Sequence, residues 1–201
     1  MTKRETNQKK GSYKVKTFSV PFSLGEIKEV ITINTNSPSK TSKPYKPSKE
    51  QIINQAFKFH SQGNISEAEK YYKLFINKGF EDHRAFSNYG LILKNLGKSK
   101  DAEIITRKAI ELNPDFASAH YNLGNILKDL GKLKEAELYT RKAIEIKPNF
   151  AEAHYNLGII LINMGKLQEA ELYTRRAIEL NPHEAEIHSN LGIILSDLGK
   201  L

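Results

Sequence analysis

The chain has 201 residues, of which 39% are hydrophobic and 27% charged, with a formal net charge of +8 and no cysteine. That length allows one or two ordinary domains. The lack of cysteine excludes disulfides, thiolate chemistry and cysteine-based metal sites and fits a reducing cytoplasm, where we expect the protein, while no apolar run approaches the roughly 18 residues of a membrane span.

The N-terminal "MTKRETNQKKGSYKVK" is basic and lacks the apolar core of a secretory signal. Residues 1–48 carry ten basic and three acidic side chains, a net +7, whereas 49–201 carry 21 and 20, a net +1. The excess charge therefore sits in a tail, and the body intersperses its signs. A nucleic-acid-binding body shows a one-sided basic face, so this balance argues against nucleic acid as a partner. The tail alone suits only weak, salt-sensitive attraction to polyanions. Within it, "YKVKTFSVPF" and "EIKEVITINT" alternate apolar and polar residues in part, as short strands do. Two such strands without a partner sheet are marginal. The following "NTNSPSKTSKPYKPS", residues 34–48, is a linker composition that buries too little apolar surface to offset its ordering entropy. We expect 1–48 to be a basic, disordered tail.

From Lys49 a 34-residue period takes over, with registers 49–82, 83–116, 117–150 and 151–184 and an incomplete one at 185–201. Gly90, Gly124, Gly158 and Gly192 form one column, and Gly63, Gly97, Gly131, Gly165 and Gly199 another. Ala68, Ala102, Ala136 and Ala170 form a third, and Pro114, Pro148 and Pro182 a fourth. Such self-similarity is the signature of a helical repeat array. Within 117–150, Ala119, Leu123, Ile126, Leu127 and Leu130 make the stripe of a first helix, which Gly131-Lys132 ends. Leu133, Ala136, Tyr139, Ala143 and Ile144 make the stripe of a second, closed by Lys147-Pro148. The short turn makes the two antiparallel. Gly124, inside the first helix, costs about 1 kcal/mol relative to alanine. We expect it there for close approach of the second helix, with Ala136 as its small counterpart. One hairpin cannot bury its faces alone, so the units stack.

These columns resemble the tetratricopeptide repeat: "NLG", then Gly, then "EA", then Ala and Pro, at matching spacing in a 34-residue unit. The resemblance covers 49–201 and is strongest over 83–201. The first unit keeps Gly63, Glu67-Ala68 and Tyr71 but has Phe80 where later units have proline. Where the family often has tryptophan, this chain has Phe86, His120, His154 and His188. The resemblance implies an all-α, right-handed superhelical solenoid of antiparallel helix pairs. Its first helices would line a concave groove that binds peptides or partner proteins.

Asn54, Asn88, Asn122, Asn156 and Asn190 recur in all five registers. Asparagine is a mediocre helix former, so propensity does not explain the column. Its amide both donates and accepts, which suits an extended peptide backbone. The column resembles the asparagine ladder in the tetratricopeptide region of O-linked N-acetylglucosamine transferases. With Ser118, Asn125 and Asp129, Asn122 is expected on a polar stripe off the apolar one. The competing role is to fix neighbouring repeats. Tyr121 and Tyr155, with Lys94 and Lys128 beyond them, could add stacking and charge, or be an ordinary solvated face. Candidate peptide-binding residues are thus the asparagine column with Asn125, Tyr121, Tyr155 and Lys128.

The family's clamps for chaperone C-termini need lysine and arginine where this chain has Glu152 and Asn156, or Glu186 and Asn190, which rejects that class. His120, His154 and His188 fall in a row on helices roughly 8–10 Å apart, which does not surround a metal ion; we expect packing, and no metal or cofactor. The Glu103–Arg107, Glu137–Arg141 and Glu171–Arg175 pairs stabilise an exposed helix by about 0.2–0.5 kcal/mol each, and are expected on a solvated face. One catalytic site needs asymmetric residues, and the only non-repeating stretch, the tail, has no histidine. The chain is therefore expected to be an interaction scaffold and not an enzyme. Two alternatives follow from the fifth unit, where Leu191, Ile194, Leu195 and Leu198 lack the second helix of their pair. The array could be the substrate-presenting N-terminal region of a longer enzyme, such as a glycosyltransferase, or the open edge could pair with a second copy.

Overall fold

The computed structural model describes residues 47–200. The expected tail, with its two alternating stretches, lies outside these residues apart from Pro47 and Ser48. Helices follow one another as α1 (Lys49–Ser61), α2 (Ile65–Asn77), α3 (His83–Asn95), α4 (Ser99–Leu112), α5 (Ala117–Asp129), α6 (Leu133–Ile146), α7 (Ala151–Asn163), α8 (Leu167–Leu180) and α9 (Ala185–Asp197). No strand occurs among the described residues. The expected all-α array of helix pairs is what forms, with α1/α2, α3/α4, α5/α6 and α7/α8 as pairs.

Local chemistry sets the boundaries. Ser48 opens α1 with a capping box: its hydroxyl accepts from Gln51 N–H, and the Gln51 side chain accepts from Ser48 N–H. Asp82 caps α3 by accepting from the N–H groups of Arg84 and Ala85. Within a pair the turn rests on one glycine. Gly131 has φ +73°, a left-handed conformation that costs glycine nothing. That geometry lets Lys132 N–H reach Leu127 C=O at 2.9 Å and Gly131 N–H reach Lys128 C=O at 3.0 Å, closing the helix C-terminus. Between pairs, Asn113 accepts from Asp115 N–H through its side chain, and Pro114 cannot continue α4.

Division of labour between the helices explains the composition columns. First helices supply bulk: Leu123, Ile126 and Leu127 of α5 are fully buried, as are Leu157, Ile160 and Leu161 of α7. Each such side chain contributes about 1.5–3 kcal/mol relative to exposure. Second helices supply small buried residues, Ala136, Thr140 and Ala143 on α6, repeated as Ala170, Thr174 and Ala177 on α8. The close approach expected at Gly124 is present and Ala136 takes part in it through its carbonyl oxygen, but the nearest atom belongs to Thr140. A Cβ there would lie 2.2 Å from Thr140 Oγ1, with the Ala136 carbonyl oxygen next at 3.3 Å.

At the last helix one expectation is corrected. Ile194 is fully buried with Leu157, Leu161 and Ala170, and Leu198 packs against the same cluster, so the preceding pair covers them. Leu191 and Leu195 are half-buried, and Ile193 is 54% exposed.

Candidate interaction surface

The asparagine column does not present one row of free amides. Asn54 is exposed on α1, and Asn88 is half-buried and donates to the Tyr72 hydroxyl at 3.1 Å. Asn122, only 7% exposed, donates to Ser87 Oγ at 3.0 Å. Asn156, 3% exposed, donates to Thr140 Oγ1 at 3.5 Å, and half-buried Asn190 donates to the Tyr155 hydroxyl at 2.6 Å. The expected polar stripe is therefore corrected at Asn122 and Asn156. A side chain off the stripe that faces its own pair still meets the first helix or pair of the preceding unit, and these amides spend their N–H groups there.

The other candidates sit closer to solvent. Tyr121 is half-buried, its ring 5.0 Å from that of Phe150. Burial pushes its phenol up, the hydrogen bond with Asn125 opposes this, and the charge of Glu152 adds to it. Asn125 donates to the Tyr121 carbonyl at 3.4 Å, a long bond that leaves the amide readily re-aimed. Lys128 is half-buried and makes no hydrogen bond or ion pair among the described residues, whereas Lys94 pairs with Asp129 at 3.1 Å. Burial holds the Lys128 ammonium below the ordinary lysine value; the charges of Asp129 and Glu186 offset part of this, and Lys94 adds to it. Glu186 lies on α9, so the first-helix faces of α5 and α9 share one electrostatic environment. Tyr155 donates to Glu186 Oε1 at 2.9 Å. Its phenol is raised by burial first and then by that carboxylate. Glu186 was not among the expected residues; its register position, shared with Glu152, was the available signal.

The second-helix face, expected to be merely solvated, carries an inter-unit ladder. Arg107 on α4 donates to Glu103 Oε1 at 2.8 Å, to Glu135 Oε2 at 2.7 Å and to the Tyr139 hydroxyl at 2.8 Å. Arg141 on α6 repeats this with Glu137, Glu169 and Tyr173 at 2.9, 2.7 and 2.6 Å. Lys132 and Lys166 add a second cation to Glu103 and Glu137, each at 2.9 Å. Burial alone would raise the Glu103 carboxyl, but hydrogen bonds from Lys132 and Arg107 and their charges hold it below the usual glutamate range.

The histidine column packs as expected at two of its three positions. His120 and His154 are 5% and 6% exposed, stacked on Tyr139 and Tyr173, and His188 is exposed. Their Nε2 atoms lie 2.7 and 2.8 Å from the carbonyl oxygens of Pro114 and Pro148. A carbonyl only accepts, so Nε2 carries the proton in each. Each ring is thus engaged with the turn preceding its own helix.

Models of the tetratricopeptide repeat match residues 83–116, 117–150 and 151–184, half of the chain. The chain belongs to the tetratricopeptide repeat family. No curated protein in the comparison matches it. Among solved structures, the segment of MamA from residue 41 to its end, from Desulfovibrio magneticus RS-1, is 24% identical. That match has a TM-score of 0.67 and covers 76% of this chain and 86% of the other. YrrB, described as a tetratricopeptide protein with an unusual peptide-binding site, is 22% identical with a TM-score of 0.61, covering 77% and 75%. A tetratricopeptide repeat protein from Parabacteroides merdae ATCC 43184 is 21% identical with a TM-score of 0.63, covering 75% and 60%. These likenesses speak to the tetratricopeptide fold. Among the described residues, no helix is long and apolar enough to cross a membrane.

Proposed function

We propose that the array is a protein-interaction scaffold that binds an extended segment of another protein along the face built from α5, α7 and α9. The observation that carries this reading is Lys128, a half-buried ammonium without a pairing partner among the described residues. Partial desolvation of a charge that finds no ion pair is costly unless something supplies an acceptor. A peptide carbonyl or carboxylate laid along the face supplies it. Asn125, one turn away, donates and accepts for the same backbone, and Tyr121 and Tyr155 flank it with rings. The asparagine column, which resembles the ladder of the glycosyltransferase repeats, then contributes mostly through register, by tying each first helix to the preceding unit. YrrB is described as having a peptide-binding site, which supports a peptide as the class of ligand.

The reading is tested by selecting random peptides on the immobilised full chain and on the Asn125→Ala/Lys128→Ala double variant. Peptides enriched on the first and absent from the second are expected. Identical enrichment on both would remove these residues from binding.

A further inference from the structure

The ladder on the second helices has a gap at its start. Between the second and third units, the Tyr139 ring fills the slot beside Arg107, whose guanidinium carbon lies 5.3 Å from the ring centroid, and stacks on His120 at 6.0 Å. Between the third and fourth units, Tyr173 fills the same slot against Arg141 at 5.2 Å and His154 at 5.9 Å. Thirty-four residues before Tyr139 stands Ile105, and thirty-four before Arg107 stands Lys73. No ring from α4 enters there; among the described residues the one ring at this place is that of Tyr89 on α3, thirty-four residues before Leu123. Instead a cleft of about 330 Å³ opens, lined by Lys73, Tyr89, Leu93, Asp101, Ile104 and Ile105. Its floor is formed by Leu93 and the Tyr89 ring, 4% and 8% exposed, whereas Ile104 at its rim is 68% exposed. Burial and then the charges of Glu69 and Asp101 push the Tyr89 phenol up.

We infer that this cleft, between the first and second helix pairs, binds the side chain of a tyrosine presented by a partner protein. Size argues for one side chain. Sites for cofactors and drug-sized ligands run from about 300 to 1,000 Å³, and this cleft stands at the bottom of that range. Chemistry argues for a tyrosine. The fold seats that ring at this register in the next two interfaces, under a cation and with its hydroxyl hydrogen-bonded. Lys73 stands at the cation's place, and Asp101 at the place of Glu135; neither makes an ion pair among the described residues. The Lys73 ammonium can lie over the ring or donate to the phenol oxygen. Asp101 can accept from the hydroxyl or from a partner N–H. The remaining charges, Glu69 and Lys98, approach each other at 3.9 Å and leave the rim near neutral. This surface lies among α2, α3 and α4, away from the face assigned to the extended segment, so the two readings stand or fall separately.

The test is a titration of the full chain with N-acetyl-tyrosinamide, followed through the methyl resonances of Ile105 and Leu93. Saturable shifts confined to these groups are expected, with N-acetyl-leucinamide at equal concentration leaving them in place. Ile105→Tyr supplies the ring from within, as Tyr139 and Tyr173 do. It should abolish the tyrosinamide shift at Leu93, the reporter that remains, and raise the melting temperature. Shifts scattered over the surface, or undiminished in Ile105→Tyr, overturn the assignment. Lys73→Ala gives an independent reading: a severalfold weaker tyrosinamide response supports the site, and an unchanged one removes it. The chain also carries Tyr13 and Tyr45. If tyrosinamide binds only after both are replaced by leucine, the slot belongs to this chain's own N-terminal segment and the partner falls away.

Discussion

Arg107 donates to the Tyr139 hydroxyl at 2.8 Å while its guanidinium lies over the ring, so one side chain of α4 grips both the edge and the face of a residue on α6. The stability of a stacked array is a sum of unit terms and nearest-neighbour terms, and this grip belongs to the neighbour term. Arg107 is about a third exposed, so solvent screens its charge. Removing the grip by Arg107→Ala should cost about 1–2 kcal/mol, combining a partly exposed ion pair with a cation–π contact. Urea unfolding measures the total. A double-mutant cycle of Arg107→Ala with Tyr139→Phe isolates the hydroxyl, and a coupling of zero would leave the grip to the ring face and to Glu135.

Acid should loosen the same ladder. Burial works against the Glu103 and Glu137 carboxylates, but hydrogen bonds from Lys132 and Arg107, and from Lys166 and Arg141, outweigh it and lower both pKa values. A carboxylate lowered in the folded state contributes stability at every pH above its unfolded value, about 4.3. That contribution is lost as pH falls through the lower folded value. Glu103→Gln with Glu137→Gln should therefore be less stable than the parent near pH 7. The gap between the two melting temperatures should close on the acid side of that range. A constant gap from neutral to acid would show that the glutamates act through shape and not charge.

The two kinds of asparagine on the first helices should separate cleanly. Asn122→Ala leaves the Ser87 hydroxyl, itself 1% exposed, without its donor, and should cost about 1 kcal/mol, the usual worth of one buried hydrogen bond. Asn125→Ala with Lys128→Ala removes only the long contact of Asn125 with half-buried Tyr121 and should stay within about 0.5 kcal/mol of the parent. Thermal melts of the two variants decide it, and equal losses would place Asn125 in the packing as well.

The helix pairs were legible because glycine, alanine and proline columns report backbone demands that nothing else satisfies. Gly131 is one such demand, a left-handed turn, and Gly124 another, a crossing too close for a Cβ. What the sequence hid is contact between units. The partners of Arg107 beyond its own helix, Glu135 and Tyr139, are 28 and 32 residues ahead. A helical wheel drawn on one helix shows only Glu103 and reads the face as solvated. Asn122 was misplaced for the same reason, since the stripe of one pair is blind to the pair before it. Lys128 was legible only as a charge on a polar face, because its burial is a property of the stack.

Gly124 and Gly192 occupy one column of the sequence and should respond in opposite directions to the same substitution. Alanine in a helix interior gains about 1 kcal/mol over glycine from backbone entropy. At Gly124 the added methyl meets Thr140 Oγ1 at 2.2 Å and the Ala136 carbonyl oxygen at 3.3 Å. The helices must part or the threonine must rotate into a packed interior, which costs about 1–3 kcal/mol. The net effect of Gly124→Ala should be a loss, and Gly124→Ala with Thr140→Ala should recover part of it. At Gly192 nothing among the described residues lies within 4 Å of the new methyl, so in this chain of 201 residues Gly192→Ala should gain stability. Paired urea melts give the sign of each. A gain at Gly124 would mean that the glycine column answers to something other than the crossing of first and second helices.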